Sequence, residues 1–184
     1  MNAPNRRTAR LAAAATMLLA AAGPVQAAEP GSLPSIAVAG FELIEEHPNP
    51  AQAANLKRRL AAAEQQLRQG LTERGLYRVA DAGATQQVVD RLKTQHEYLY
   101  RCPDCPQTIG QAAKTDLVVM GWVQKVSELI LNINVEVHDP KANRVVLAKS
   151  VDLRGDNDES WNRGLRFMLR DWAERRERNP GYGR

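Results

Sequence analysis

The chain reads as a single-domain α/β sandwich with a mixed sheet, in the order strand, helix, strand, helix, helix, strand, strand, strand, helix. Three observations predict this. Apolar residues recur at helical spacing around positions 56–71 and again at 161–172; strict apolar and polar alternation runs through 129–138; and loop-forming residues separate the patterned segments.

Each element follows from its own pattern. Residues 35–44 (SIAVAGFELI) are a short apolar run with period-two stretches, a strand, and residues 45–50 (EEHPNP) form a loop broken by two prolines. Residues 51–74 carry Leu56, Leu60, Ala63, Leu67 and Leu71 on one helical face, with Gly75 placed to cap the helix in a left-handed conformation. Residues 76–80 (LYRVA) form a second strand. Residues 85–99 put Val88, Val89, Leu92, His96 and Leu99 on one face of a second helix, and a short helix at 107–114 follows the loop 101–106. The strand 116–126 leads into 128–138, where Leu129, Leu131, Ile133, Val135 and Val137 alternate with Ile130, Asn132, Asn134, Glu136 and His138. That alternation predicts one buried and one largely polar face. The turn 139–143 then returns the chain along 144–153 as an antiparallel hairpin. Residues 160–178 close the fold with a helix that turns Trp161, Leu165, Met168, Leu169 and Trp172 toward the sheet and Arg163, Arg166, Arg170, Arg175 and Arg176 away from it. Residues 179–184 (NPGYGR) read as a flexible tail.

Composition narrows the function. Of 184 residues, 43% are hydrophobic and 25% charged, too apolar and too weakly charged for a wholly disordered chain. Two cysteines are too few for a multi-bridge mini-protein or a four-cysteine zinc module. The formal charge of +4 invites a nucleic-acid reading until the first segment is considered. Arg6, Arg7 and Arg10 precede an apolar run, 11–22, and Val25-Gln26-Ala27 supplies small residues at a cleavage site, so residues 1–27 read as a signal peptide. The apolar run is shorter than the roughly 20 residues that span a bilayer. Losing three arginines and no acid lowers the formal charge from +4 to +1. The expected organisation is therefore a signal peptide at 1–27, a linker at 28–34, the α/β domain at 35–178 and the tail at 179–184. The expected location is the periplasm, with no nucleic-acid partner and no membrane span after cleavage. The remaining positive charge is concentrated in 161–184, where seven arginines face three acids.

Few residues promise chemistry. Cys102-Pro103-Asp104-Cys105 can close a local disulfide, which an oxidising compartment preserves; thiol exchange and metal binding stay open, the latter needing two further ligands. His96 falls on an apolar helical face and reads as a core residue, whereas His47 and His138 lie beside turns and read as solvated. No nucleophile elbow, HExxH pair, phosphate loop or dinucleotide fingerprint occurs, so no catalytic residue, cofactor or metal ligand is assigned. The acidic run 156–159 could hold a hard cation, but acids and a hydroxyl before Trp161 suit a helix cap. Asn is a poor strand former, so Lys125, Asn132 and Asn134 on the hairpin point to a partner-binding surface, as do Arg163, Arg166 and Arg170 on the last helix.

Two resemblances add to these readings. Residues 36–41, the block 109–123 (IGQAAKTDLVVMGWV) and the hairpin 131–150 resemble the TolB amino-terminal domain and CsgG-like envelope proteins, which implies the fold only. The blocks 121–134 (GWVQKVSELILNIN) and 152–165 (DLRGDNDESWNRGL), with the paired cysteines, resemble an exported bacterial family of unknown function. That resemblance implies a periplasmic accessory role beside quinoprotein alcohol dehydrogenase systems and brings no catalytic residues. The expected function is a non-catalytic protein that recognises an envelope or periplasmic protein; a thiol-disulfide protein using the CPDC motif, or a small-molecule or metal carrier, is the alternative. The export reading predicts that the chain recovered from periplasm has Ala28 as its first residue, which intact-mass measurement checks. A mass retaining residues 1–27 refutes it.

Overall fold

Successive side chains of a strand point to opposite faces, so parity decides which layer each strand residue joins. In the computed structural model, which describes residues 32–184, the strands are β1 (Ser35–Glu45), β2 (Arg78–Val79), β3 (Leu117–Lys125), β4 (Ile130–Asp139) and β5 (Arg144–Arg154). They form one sheet in the order β2-β1-β3-β4-β5. β1 runs parallel to β2 and β3, whereas β3, β4 and β5 form an antiparallel meander. The helices are α1 (Ala53–Glu73), α2 (Ala82–Lys93), α3 (Cys105–Ala113) and α4 (Asp158–Arg178). This is the mixed α/β sandwich and the element order that the sequence predicts. The expected signal peptide at 1–27 and residues 28–31 of the expected linker lie outside the described residues.

Two layers of unequal width cover the sheet. α1 buries Leu56, Ala63, Leu67 and Leu71, and α4 buries Trp161, Leu165, Met168, Leu169 and Trp172, against Ile36, Val38, Val119, Val123, Ile133, Val135 and Leu147. On the other face α2 and α3 bring Val88, Val89, Leu92 and Ile109 onto Ala37, Ala39, Val118 and Met120, which belong to β1 and β3. α1 stops at Gly75, whose φ of +61° only glycine adopts readily, and the Leu76 amide then donates to the Leu71 carbonyl at 3.0 Å. Asn157 caps α4, its side-chain oxygen accepting from the Ser160 amide at 2.9 Å.

A bulge in β1 sets the phase of its second half. Val38 pairs with Val119, yet Phe41 pairs with Gly121, so one extra residue of β1 is accommodated around Gly40, at φ +88°. Phe41 consequently returns to the face of Val38 instead of the opposite one. Glu42 then points to the narrow layer and Glu45 to the wide one. The Phe41 ring lies on Gly121, where an added Cβ would sit 2.5 Å from the ring.

Three expectations about the second helix and the histidines are corrected. The second helix ends at Lys93, where the Gln95 and His96 amides both close on the Leu92 carbonyl, and beyond it the amides of Leu99 and Tyr100 donate to the Glu42 carboxylate at 2.8 and 3.0 Å at the start of a 3₁₀ turn over residues 99–101. His96 therefore leaves the helix and is exposed instead of packed in the core. His138, expected to be solvated, keeps only 15% of its side chain exposed beside Glu136; burial lowers its pKa while the Glu136 carboxylate raises it.

The expected flexible tail is docked. Arg176 donates to the carbonyls of Tyr182 and Gly183 and to the Tyr77 hydroxyl, which itself donates to Gly183. Burial pushes the Tyr77 phenol up to about 12, against the opposing effect of Arg176, so it stays protonated and able to donate. Arg176, expected on the outward face of the last helix, is accordingly buried at 8% exposure.

The Phe41–Gly121 contact predicts that Gly121→Ala, which forces the ring aside, costs about 1–3 kcal/mol in urea unfolding. An unchanged unfolding midpoint would show that the ring yields freely.

Candidate interaction surface

The sequence grouped Lys125 with Asn132 and Asn134, and the structure separates them by parity. Lys125 shares its face with Val123 and is 3% exposed, so it offers no surface to a partner. Its ammonium lies 2.8 Å from Glu128, 2.9 Å from Asp156 and 3.7 Å from Glu45. Burial alone lowers the Lys125 pKa, but the Glu128 and Asp156 carboxylates outweigh it and hold the group above its ordinary value.

Asp156 is the centre of this cluster. Its fully buried carboxylate also accepts from Arg59 at 2.7 Å and from the Trp161 indole at 3.0 Å. Two residues on, Asp158 accepts two bonds from Arg58, at 2.8 and 3.1 Å, and one from Arg59, at 2.7 Å. The acidic run that could have held a hard cation is thus occupied by protein cations and the cap of α4.

Asn132 and Asn134 sit on the other face of β4, where α2 and α3 do not reach. They are half-buried, and the Asn134 amide donates to the Asn132 side-chain oxygen at 2.6 Å. Register extends this face in rows across the strands: Trp122, Asn134 and Ser150 form one, and Gln124, Asn132 and Asp152 the next. On β5 the same face presents Ala148, Ser150, Asp152 and Arg154, all exposed.

An aromatic ledge borders the rows. Tyr100 stacks on Trp122 with ring centroids 4.7 Å apart and planes 16° from parallel, and Tyr98 lies 5.8 Å from Tyr100. The Arg101 guanidinium covers both tyrosines at 5.6 and 5.3 Å and donates to the Tyr100 hydroxyl at 2.7 Å. Glu42 holds the ledge through the Leu99 and Tyr100 amides. Sequence reasoning missed this cluster. Its signal was the spacing of Tyr98 and Tyr100, together with Trp122 standing out of phase with the buried Val123.

Arg163, Arg166 and Arg170 are exposed on the outer side of α4, with Phe167, half exposed, among them. They lie across the sheet from Asn132 and Asn134, so the residues expected to bind a partner fall on two separate surfaces. Cys102 and Cys105 are joined in a disulfide and are buried, beside the exposed His96. The cavity between α1 and α4, lined by Arg58, Arg59, Gln66, Trp161 and Asn162, holds about 100 Å³, and a more open groove lined by Gln107, Gln111, Lys114, Pro140 and Lys141 holds about 520 Å³. Among the described residues no helix is long and apolar enough to cross a membrane.

A family model described as Protein of unknown function (DUF2380), DUF3280, matches residues 34–172. No curated protein matches the chain. Among solved structures, the NMR structure of LpoB from Escherichia coli is similar with a TM-score of 0.51 at 10% identity, covering 84% of this chain and 89% of that one. The LpoB C-terminal domain from Escherichia coli gives 0.49 at 10% identity, covering 70% and 88%, and lipoprotein GNA1162 from Neisseria meningitidis gives 0.44 at 17%, covering 79% and 96%. These are similarities of fold.

The Asp158 contacts have a pH signature. Hydrogen bonds from Arg58 and Arg59 hold its carboxyl at about 2, below the ordinary 3.8. A depressed carboxyl contributes stability that is present above the unfolded value and lost as pH falls through the folded one. Urea midpoints are therefore expected to drop between about pH 3.8 and 2, with a shallower drop in Asp158→Asn. Parallel profiles for the two proteins would refute this.

Proposed function

The chain belongs to this family of unknown function, and on that premise we propose that it is a non-catalytic binding module that recognises another folded protein in the periplasm or envelope. One observation carries the reading: the bare face of β4 and β5 with the Tyr98, Tyr100, Trp122 and Arg101 ledge along its side. Tyr, Trp and Arg are the residues that concentrate binding energy in protein interfaces, and a polar field around them suits the rim. The Asn132 and Asn134 amides, bonded to each other once, keep three side-chain N–H donors and acceptor capacity for a partner. The periplasmic location rests on the export signal read at 1–27, and the association with quinoprotein alcohol dehydrogenase systems rests on the family resemblance. The arginines of α4 form a second, smaller candidate surface, supported by the exposed Phe167 among them.

The test places a photo-crosslinking residue at Ser150 on the bare face and, separately, at Arg166 on α4, in the full chain in its own cells. The expected result is a discrete adduct from position 150 that falls several-fold when Trp122→Ala is added, with mass spectrometry identifying the partner. A component of a quinoprotein alcohol dehydrogenase system in that adduct supports the narrower reading. An adduct from position 166 alone moves the site to α4, and the absence of any Trp122-dependent adduct overturns the bare-face assignment.

A further inference from the structure

Beside the surface assigned to partner binding lies a cluster of three metal-ligating side chains. The ligand atoms of His96, Cys102 and Cys105 fall within 4.8 Å of one another. The sequence supplied only the two cysteines; shortening of the second helix brings in His96, whose Nε2 lies 3.6 Å from the Cys102 sulfur. Tetrahedral ligands at zinc, with bonds of roughly 2.05 Å to nitrogen and 2.3 Å to sulfur, stand about 3.6 Å apart. The imidazole is already at that spacing.

We infer that reduction of the Cys102–Cys105 disulfide converts this cluster into a Cys₂His site for a divalent zinc-class ion. The surroundings suit such a site. Cys105 is the first residue of the nine-residue α3, so the helix amides favour its thiolate. Both cysteines are buried among apolar residues including Val88, Leu92, Leu99 and Ile109. In that low-polarity setting two thiolates and a neutral imidazole are balanced in charge by a divalent cation, while a monovalent one leaves a buried negative charge. His96 is exposed, and its segment gives the ion a way in; the fourth position is left for water.

The chemistry balances with a dithiol reductant. Thiol-disulfide exchange transfers two electrons and two protons, leaving Cys102 and Cys105 as thiols and the reductant as its own disulfide. The incoming ion displaces both thiol protons to solvent and takes the His96 lone pair. Disulfide and metal compete for the same sulfurs, so occupancy reports the redox state of the pair.

The test reduces the purified chain with a dithiol, removes the excess without air and titrates Co²⁺, followed by Zn²⁺, with circular dichroism checking the fold. The expected result is one Co²⁺ per chain with a thiolate-to-cobalt absorption band, displaced by Zn²⁺, and no such band for the oxidised chain. Cys102→Ser is expected to abolish the band, and His96→Ala to weaken binding by more than the roughly 10–100-fold that loss of an outer-shell partner costs. A reduced chain that keeps its fold and binds no Co²⁺ overturns the inference, as does a chain that unfolds on reduction. His96→Ala binding as tightly as the unaltered chain removes His96 from the site and overturns the Cys₂His assignment.

Discussion

The arrangement turns on one buried carboxylate. Asp156 has no exposed side-chain surface, and an isolated carboxylate there would cost several kcal/mol. It is tolerated because Lys125 from the end of β3, Arg59 from α1 and the Trp161 indole from α4 converge on it. Each of those contacts fixes a relationship: where β3 ends, how α1 crosses α4, and where α4 begins. The backbone adds to this, with the Gly155 and Asp156 amides donating to the Leu129 and Glu128 carbonyls, so the turn after β5 is fastened to the turn before β4. The wide layer of helices is thereby locked to the sheet at the end where the β3–β4 hairpin turn meets the β5–α4 turn.

The narrow layer leaves the functional surface open. α2 and α3 are short and cover β1, β3 and the His138 end of β4, so the rest of β4 and β5 carries mostly polar side chains on that face without cost. The aromatic ledge stands at the boundary between covered and bare sheet. Trp122 gains its apolar contact from Tyr100 instead of from a helix, and Glu42 satisfies the two amides that keep Tyr100 in place.

Local patterns were legible in the sequence, and contacts between distant segments were not. Heptad-like spacing from Leu56 to Leu71, alternation through β4 and the capping glycine after α1 gave away the element order, because each is decided by residues within a few positions, whereas the cap of α4, expected from acids and a hydroxyl, is the Asn157 side chain. The parity of Lys125 with Val123 was also present and indicated burial, yet a lysine at a strand end is ordinarily solvated; its three carboxylate neighbours come from two other segments and the following turn. Arg176 stood in an arginine-rich run that looked outward, and only Tyr77 and the carbonyls of the tail, about a hundred residues and six or seven residues away respectively, make its burial favourable. The second helix extended in pattern to Leu99, but the Gln95 and His96 amides close on the Leu92 carbonyl, and Glu42 takes the Leu99 and Tyr100 amides beyond it.

The bulge at Gly40 has a consequence for how this chain can vary. Most loops absorb gained or lost residues at little cost, whereas here one residue acts as a phase shifter between the two halves of β1. Removing it would turn Phe41 toward the narrow layer, Glu42 into the apolar side and Glu45 away from Lys125. Substitution along this strand can be gradual, but change in its length is all-or-none, so length at this point is a stricter marker of descent within the fold than residue identity.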